Sequence, residues 1–369
     1  MEPGKRLLSL DTLRGFDMMF IMGFASIITA ACALFPEGEN CWLATQMHHV
    51  AWDGFRHHDT IFPLFLFIAG VSFPFSHAKQ VAGGASKGRI YRKIFTRGIL
   101  LFLLGLVYNG FFRLDFAGLR IFSVLARIGF AWMFAALLFI NSKPGNRAVV
   151  SVALLVGYWL LLRFVPAPDA PGADPFSYEG NLVGYVDRIL VPNHLLNKGE
   201  FDPEGLLSLI PAIVTAMLGM FTGEFVRLDE KKVPGGKKAL YMALAAVAML
   251  VLGLVWSLDF PVNKSLWSSS FVLVVGAYSL GLFALFYYLI DVRGWKKWTK
   301  FFEVIGLNSI TIYMAQRIIP FGSVNGFFLD GLAGYLPPAA GDLILSIGYF
   351  VLCWLFLWFL YKKKIFLKV

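Results

Sequence analysis

Residues 48–70 read HHVAWDGFRHHDTIFPLFLFIAG, and this stretch places a cluster of histidines directly before an uninterrupted apolar run. The cluster holds four of the chain's six histidines, together with Asp53 and Asp59. Apolar runs that recur along a chain are typical of membrane-spanning helices, whose ends meet water at the two faces of the bilayer. The histidines are therefore predicted to lie where a spanning helix emerges from the membrane.

The apolar pattern recurs along the rest of the chain. The 369 residues are 58% hydrophobic, include 37 Phe and have a mean hydropathy of +0.68, which is too apolar for a water-soluble protein. A window of about 19 residues finds apolar segments near 16–35, 61–77, 94–112, 119–140, 148–165, 206–226, 239–258, 269–290, 301–320 and 342–361. We predict an all-α, polytopic integral membrane protein of about ten transmembrane helices, forming one domain over residues 1–369.

The net charge of +10 is compatible with a nucleic-acid-binding surface, but the basic residues alternate between the two sides of the predicted spans. One side collects most of them, including Lys5, Arg6, Lys87, Arg89, Arg92, Arg97, Lys143, Arg147, Lys231, Lys232, Lys296, Lys297, Lys362 and Lys368. The other side carries chiefly Arg56, Arg113, Arg120, Arg188, Lys198 and Lys264. The positive-inside rule then predicts cytoplasmic N and C termini and an outward-facing histidine cluster. The bilayer, and no nucleic acid, is the expected partner of this charge.

Two outer loops are expected, at about 36–60 and 166–205. The second is rich in Pro, Gly and Asp and is predicted to form an ordered partial lid. Within it, NLVGYVDRILVPNHLL, residues 181–196, has the pattern of a short amphipathic helix.

The histidine cluster is compatible with acid–base catalysis, because an imidazole titrates near pH 6.5 and a carboxylate close by can fix its tautomer. An isolated histidine at a membrane boundary would more often bond a loop carbonyl. The clustered histidines and aspartates could instead bind a metal, but no pair has the helical spacing of HExxH. We expect no metal.

Arginines inside apolar segments need a polar partner or a wet cavity. Arg14 lies between Asp11 and Asp17 in SLDTLRGFDMM, which indicates either an anchoring ion pair or a ligand for an anion. Arg120 and Arg127 are seven residues apart, so they are expected on one face of the fourth span, with Arg127 well inside the hydrocarbon. Asp11 or a phosphate-bearing ligand would serve as its partner.

Other polar residues also fall inside or beside spans. Asn308, Ser309, Tyr313 and Gln316 in IGLNSITIYMAQR are too polar to face lipid and are expected inside the bundle. In DFPVNKSLWSSSF, Trp267 is compatible with an aromatic anchor at the membrane boundary as well as with a substrate contact.

Six segments, taken together and in order, resemble the transmembrane acyltransferases related to heparan-alpha-glucosaminide N-acetyltransferase. The segments are RLLSLDTLRGFDM, HHVAWDGFRHHDTIFPLFLFIAG, LRIFSVLARIG, FDPEGLLSLIPAIVTAMLG, PVNKSLWSSSFVL and IGLNSITIYM. Their positions run along most of the chain.

The resemblance implies transfer of acetyl from cytosolic acetyl-CoA to the amino group of a glucosamine on the far side of the membrane. It places the family's catalytic histidine at His49 and its aspartate at Asp59, with Asn40 as the nearest match to an upstream asparagine. Asp53 stands where the family frequently has asparagine, and His48 is a second histidine that could take the same role.

The resemblance also leads us to expect binding roles for the remaining polar residues. Acetyl-CoA is the expected co-substrate, with Arg14, Arg127 and Arg120 near its phosphates and Asn308, Ser309 and Tyr313 along its pantetheine arm. Oxyanion donors are expected among Asn40, Asn263, Asn308 and Tyr313. The sugar is expected to contact His48, Trp52, Asp53, Asn263, Lys264 and Trp267.

Several alternatives stay open at the level of sequence. A transporter of sugars or organic anions would also carry intramembrane Arg and Asp, and an O-acetyltransferase of surface glycans would use a hydroxyl acceptor. The acceptor could be a heparan-derived disaccharide, a peptidoglycan fragment or free glucosamine, and the histidine could itself be acetylated or act as a base only. The resemblance further suggests a bacterial inner (cytoplasmic) membrane location and a homodimer.

Overall fold

The computed structural model of the protein describes residues 7–196 and 200–367, and the regular structure of these residues is helical throughout. Lys5, Arg6, Lys198 and Lys368, which contribute to the predicted charge asymmetry, lie outside the described residues. The helices that build the bundle are, in chain order, α1 (Leu8–Cys32), α2 (Ile61–Ala82), α3 (Lys87–Tyr108), α4 (Val124–Asn141), α5 (Pro144–Phe164), α6 (Leu182–Leu190), α7 (Leu209–Val226), α8 (Gly235–Trp256), α9 (Ser269–Val292), α10 (Thr299–Leu307), α11 (Ser309–Ile318), α12 (Phe321–Gly334) and α13 (Pro338–Lys362).

Eight helices in the described part of the chain are long and apolar enough to cross a membrane: α1, α2, α4, α5, α7, α8, α9 and α13. Helix α2 has 22 residues, and at 1.5 Å per residue it extends about 33 Å, against a hydrocarbon core of about 30 Å. The prediction of an all-α polytopic membrane protein is therefore confirmed.

The two other predicted spans have a different form. The segment at 94–112 belongs to α3, which begins earlier, at Lys87, and carries several basic residues in its first half. The segment at 301–320 is two helices, α10 and α11, separated at Asn308, whose φ of −124° and ψ of 28° are not helical. Helices of 9 and 10 residues reach only about 15 Å each. The total of ten spans stays a prediction.

The first helix is irregular in its middle. Residues Phe20–Phe24 form a π-helical turn, and Gly23 within it has a φ of 126°, which residues with a side chain rarely adopt. A Cβ at Gly23 would also stand 3.2 Å from the ring of Tyr349 in α13. The π-helical turn of α1 therefore packs closely against α13 at Gly23.

Close crossings bring two pairs of helices together. A Cβ on Gly70 of α2 would stand 2.2 Å from the carbonyl oxygen of Ala216 in α7, so the two backbones meet directly. Likewise, a Cβ on Gly306 of α10 would stand 2.1 Å from the carbonyl oxygen of Asp11 in α1. The second crossing fixes the break at Asn308 against the first turns of α1.

The predicted amphipathic helix in the loop at 166–205 is confirmed as α6. Asn181 caps it, with its side-chain oxygen accepting a hydrogen bond from the Gly184 N–H at 2.7 Å. Its apolar face, Leu182 and Val183, packs into a core cluster with Tyr158 of α5 and with Phe260. The loop therefore packs against the end of α5 and the segment that precedes α9.

Candidate active site

His49 and Asp59 form a hydrogen-bonded pair directly before α2. The Nδ1 atom of His49 lies 2.7 Å from Oδ1 of Asp59. The carboxylate is buried and its Oδ2 accepts the backbone N–H groups of Arg56 at 3.2 Å and Val50 at 3.4 Å, whereas the His49 side chain is 54% exposed. The carboxylate is thus held from three sides, and Nε2 is the ring nitrogen that stays available to a substrate.

The local chain path explains how this pair forms. Gln46 accepts the His57 N–H with its side-chain oxygen at 2.9 Å and the His58 N–H with its carbonyl at 3.0 Å. These bonds hold the 3₁₀ turn His57–Asp59 against the loop residues that precede it, and α2 begins two residues after Asp59. Asp59 therefore sits at the junction between loop and spanning helix.

Lys264 contacts both members of the pair. Its Nζ lies 3.1 Å from Nδ1 of His49 and 3.5 Å from Oδ1 of Asp59. Burial acts to raise the pKa of Asp59, but the hydrogen bond from His49 and the charge of Lys264 outweigh it, so that the net pKa lies below the ordinary value. Asp59 is therefore ionised at neutral pH and stabilises positive charge on its neighbours.

The other histidines of the cluster surround the pair without joining it. The His58 ring meets the His49 ring edge-on at a centroid distance of 4.6 Å. Burial lowers the pKa of His58 to about 4, with His49 and Lys264 acting in the same direction. His57 packs on the Phe20 ring at 4.3 Å, and burial lowers its pKa as well. Both rings are neutral at pH 7. In residues 7–196 and 200–367, no group of three His, Cys, Asp or Glu side chains is arranged to hold a metal ion.

A second loop, at 260–268, is joined to the histidine loop and delivers Lys264. Asn263 is fully buried and donates from Nδ2 to Oδ1 of Asp53 at 2.9 Å, while the Gly54 N–H donates to the Val262 carbonyl at 2.8 Å. The Asn263 side-chain oxygen accepts the Leu266 N–H at 2.8 Å. Asp53 and Asn263, both predicted to bind substrate, thus link the two loops.

Trp52 and Trp267 are also held by the protein itself. Trp52 donates from Nε1 to the Phe176 carbonyl of the covering loop at 2.9 Å. Trp267 is fully buried and donates to Oγ1 of Thr215 in α7 at 3.1 Å. The interpretation of Trp267 as an anchor at the membrane boundary is therefore wrong, because its ring lies inside the bundle.

Arg127 lies in the first turn of α4, so the expectation that it is deep in the hydrocarbon is wrong. Its guanidinium stands over the Trp267 ring, 4.9 Å from the centroid, donates to the Gly205 carbonyl at 3.2 Å and contacts the Ser208 hydroxyl. Asp11 is not its partner. The segment before α4 is extended and non-helical, so Arg120 does not share a helical face with Arg127.

Arg120 instead anchors the covering loop. Its guanidinium makes two bonds to Asp202, at 2.6 and 2.7 Å, and a further bond to Glu204. Asp202 is fully buried, so this ion pair ties the end of the loop to the start of α4.

A search for relatives identifies the family of the chain. A sequence profile described as "Heparan-alpha-glucosaminide N-acetyltransferase, catalytic" matches residues 6–253, about two thirds of the chain. The chain belongs to this family. The heparan-alpha-glucosaminide N-acetyltransferases of Mus musculus and Homo sapiens are each 28% identical to it, over 419 and 415 residues. These alignments cover 100% and 99% of this chain but 61% and 60% of the relatives, so the chain spans about three fifths of their length.

In this member of the N-acetyltransferase family, a cavity of about 360 Å³ lies on the side of the bundle where α1 starts. Arg14, Ser72, Arg97 and Ser309 line it. Arg14 bonds Asp11 at 3.3 Å and Ser72 at 3.4 Å. Arg97 stands over the Trp132 ring at 4.2 Å, and its buried Nε has no hydrogen-bond partner in the described residues. Sequence reasoning counted Arg97 only among the basic flanks of a span; its position inside the apolar segment 94–112 was the signal.

Asn308 lies at the break between α10 and α11, and Tyr313 lies in α11. Neither residue lines this cavity. Asn308 is buried, and its Nδ2 has no partner in the part of the chain that the structure describes. Tyr313 stacks on Tyr108 of α3 with ring centroids 4.5 Å apart. Both residues face the bundle interior, as the sequence predicted.

A larger cavity, about 1070 Å³, opens beside the histidine loop. Asn40 and His48 line it together with Arg56, which donates from Nη1 to the His49 carbonyl at 3.1 Å. Asn40 is exposed in the 3₁₀ turn Gly38–Asn40 and makes no hydrogen bond to His49 in the described residues. The three residues predicted as catalytic are therefore a bonded pair and one separate side chain.

Proposed function

We propose that this protein transfers acetyl from acetyl-CoA to the amino group of a glucosamine-type sugar, with His49 as the base. The observation that carries the proposal is the bond from an exposed imidazole to a buried, ionised carboxylate. The family relationship supports the type of reaction. We extend it to the whole chain as one transmembrane acyltransferase domain.

The pair accounts for the proton chemistry of such a transfer. The amine of glucosamine is largely protonated at neutral pH, and it attacks a thioester only after losing a proton. With its Nδ1 proton donated to Asp59, His49 accepts that proton at Nε2. The amine nitrogen then bonds to the carbonyl carbon, the carbon–sulfur bond breaks, and the thiolate of CoA takes the first proton from the imidazolium. The second proton, which the nitrogen loses as it becomes an amide, passes through the regenerated imidazole to water.

Lys264 supplies positive charge where the reaction develops negative charge. The tetrahedral intermediate carries an oxyanion, which a fixed cation in a partly dry site stabilises strongly. The Lys264 ammonium lies 3.1 Å from Nδ1 of His49 and is held there by its ion pair with the Asp59 carboxylate, 3.5 Å away. Asn263 and Trp267, which are fully buried, support the loop that presents it.

The donor is proposed to enter from the other side of the bundle. Arg14 and Arg97 provide two cations in the smaller cavity for the phosphates of CoA. Ser72 lies there, half-way along α2, and eleven residues at 1.5 Å put it about 16 Å from the helix start beside Asp59. Asn308, Ser309 and Tyr313 offer polar groups along this depth. Arg120 is less available, because its guanidinium is paired with Asp202 and Glu204. Arg127 bonds the covering loop through Nη2 only.

We further propose the sidedness that the charge pattern indicates: both termini in the cytoplasm, acetyl-CoA from the cytoplasm, and the sugar at the outer face of a bacterial inner membrane.

The test uses purified protein in lipid nanodiscs with acetyl-CoA and glucosamine. His49→Asn should lower kcat by about 10²- to 10⁴-fold, the range of general-base catalysis. The neighbouring His48→Asn, in the lining of the larger cavity, should keep kcat near the wild-type value and change at most KM for glucosamine. Loss of kcat in His48→Asn alone would move the base to His48. An intact thioester in the wild type, with solute taken up by vesicles, would indicate a transporter instead.

The same preparation distinguishes the two schemes for His49. Labelled acetyl that stays on the protein without acceptor indicates an acetyl-histidine intermediate, whereas intersecting initial-rate plots indicate direct transfer in a ternary complex.

A further inference from the structure

The larger cavity is a polar chamber in the bundle next to the histidine loop. Its volume of about 1070 Å³ is slightly above the range for small-molecule sites, about 300–1,000 Å³. One wall is the second half of α1, and the opposite walls are α12 and α13. The latter two helices lie outside residues 6–253, the part that matches the family profile.

The cavity adjoins the histidine loop of the candidate active site. His48 and Arg56 line it, and His48 is the chain neighbour of His49. Arg56 lies between the two, since its guanidinium donates to the His49 carbonyl at 3.1 Å. A molecule in the cavity therefore reaches the histidine loop without crossing a helix.

The lining suits a sugar. Helix faces that meet lipid are apolar, but here α1 contributes Ser26 and Thr29, α11 contributes Gln316 and α13 contributes Ser346 and Tyr349. Hydroxyl and amide groups of this kind donate to and accept from sugar hydroxyls. The Tyr349 hydroxyl is already positioned by the Gln316 side-chain amide at 3.0 Å.

The charged side chains that line the cavity favour a cationic ligand. Glu39, Asp330 and Asp342 face the cavity, and none of them forms a salt bridge in the described residues. Arg56 is the basic side chain among the lining residues, so carboxylates are in excess. Complementary charge at a cavity mouth concentrates ligands of opposite sign.

We propose that this cavity is the acceptor site, and that it binds an amino sugar as the ammonium form through Asp330 and Asp342. This inference rests on the proposed function for its reaction, but it places the sugar on α1, α12 and α13 rather than on Trp52, Asn263 and Trp267. The ammonium form enters, and His49 takes its proton when the amine reaches the thioester.

Binding of radiolabelled glucosamine to the full chain in nanodiscs separates this inference from the proposed reaction. The His49→Asn protein should bind glucosamine like wild type, and Asp330→Asn combined with Asp342→Asn should weaken binding by about tenfold or more, the loss expected for charge-assisted contacts. Glu179→Gln, an exposed carboxylate outside the cavity, is the matched control and should bind normally. N-acetylglucosamine, which is neutral, should bind the wild type more weakly than glucosamine.

Steady-state kinetics and a steric block give a second readout. The Asp330→Asn, Asp342→Asn protein should raise KM for glucosamine and leave KM for acetyl-CoA unchanged. Ser346→Trp would fill the cavity and should block glucosamine, whereas Ile347→Trp, on the exposed face of the same helix, should not.

The outcomes are distinguishable. Glucosamine binding that is unaffected by both the carboxylate and the tryptophan variants overturns the cavity assignment while leaving acetyl transfer intact. Binding that depends on the cavity, without any acetyl transfer by wild type, overturns the proposed function and keeps the cavity as an amino-sugar site. Equal binding of N-acetylglucosamine overturns the role of the carboxylates.

Discussion

At the scale of single residues, the proposed acetyl transfer depends on how Asp59 holds His49. Asp59→Asn keeps the shape of the side chain but loses the charge that stabilises an imidazolium, and an amide can present its N–H₂ to Nδ1 and fix the wrong tautomer. We expect kcat to fall by about 10²-fold or more, with little change in KM for acetyl-CoA. Steady-state assays in nanodiscs measure this, and Asp115→Asn, in an exposed turn, is the control. Wild-type kcat in Asp59→Asn would contradict the role of the pair.

Lys264 gives a pH prediction at the same scale. Burial lowers the pKa of Lys264 below its ordinary value, although Asp59 acts in the opposite direction. As pH rises through that lowered pKa, the ammonium loses its proton, so kcat/KM should decline at alkaline pH. In Lys264→Arg the charge persists at these pH values, and the decline should move to higher pH or disappear; Lys264→Met should be slow throughout. An identical alkaline decline in wild type and Lys264→Arg would show that this ammonium is not needed.

Some contacts of the site residues could be predicted from the sequence, and others could not. The pairing of His49 with Asp59 follows from the family motif, since both lie in one short loop. The contact of Lys264 with both does not, because it depends on the bonds from Asn263 to Asp53 that join loops about two hundred residues apart. Hydropathy could not tell a tryptophan at a membrane boundary from one buried beneath Arg127, as Trp267 is.

At the scale of elements, the attachment of α6 should respond to pH. Asp187 of α6 is fully buried: its Oδ1 accepts the Leu206 N–H at 2.9 Å, and its Oδ2 has no partner among the described residues. Burial raises the pKa of Asp187 to about 7, with Asp202 acting in the same direction and Arg127 and Arg188 opposing it.

The folded state therefore holds this proton more tightly than an unfolded chain, whose aspartates titrate near about 3.9. The stabilisation is complete below that value and is lost as pH rises through about 7. The melting temperature of the wild type should fall between pH 5 and pH 8, and Asp187→Asn, a neutral isostere, should reduce that fall. Asp169→Asn, at the exposed partner of Arg188, should keep the wild-type trend. If the melting temperature of Asp187→Asn fell with pH as much as that of the wild type, the Asp187 proton would not be the cause of the fall.

The break between α10 and α11 gives a prediction about the donor. It places Ser309 in the smaller cavity with Arg14 and Arg97. If these arginines bind phosphates, Arg97→Gln should raise KM for acetyl-CoA by about tenfold or more, the cost of losing a charge-assisted contact, but should not affect acetyl-pantetheine, which has no phosphate. Arg92→Gln, on the exposed part of α3, is the control. An equal loss with both donors would indicate that Arg97 is structural.

The elements were predicted unevenly, for a physical reason. Long apolar helices such as α2 and α13 have a high mean hydropathy over their whole length, and α6 is recognised by its amphipathic pattern. A window of about 19 residues averages over Asn308, so it merges α10 and α11 into one span. The fit of Gly306 against the α1 backbone, which holds that break, is a tertiary contact.

At the scale of the whole molecule, the two cavities lie toward opposite ends of the same helices. In α1 the larger cavity is lined by residues from Ile21 onward and the smaller one by Arg14. In α13 the larger cavity is lined near the helix start, at Asp342, whereas Phe366, past its end, lines the smaller one. A donor and an acceptor that approach from different faces of a membrane need this arrangement.

Sealed vesicles containing the purified protein test that arrangement most directly. With acetyl-CoA inside and glucosamine outside, and with orientation established by protease access to the termini, molecules whose N terminus faces the lumen should form N-acetylglucosamine outside and free CoA inside. His49→Asn vesicles should form neither. Product that appears only when acetyl-CoA and glucosamine share one compartment, or at the wild-type rate in His49→Asn vesicles, would contradict transfer across the bundle at His49.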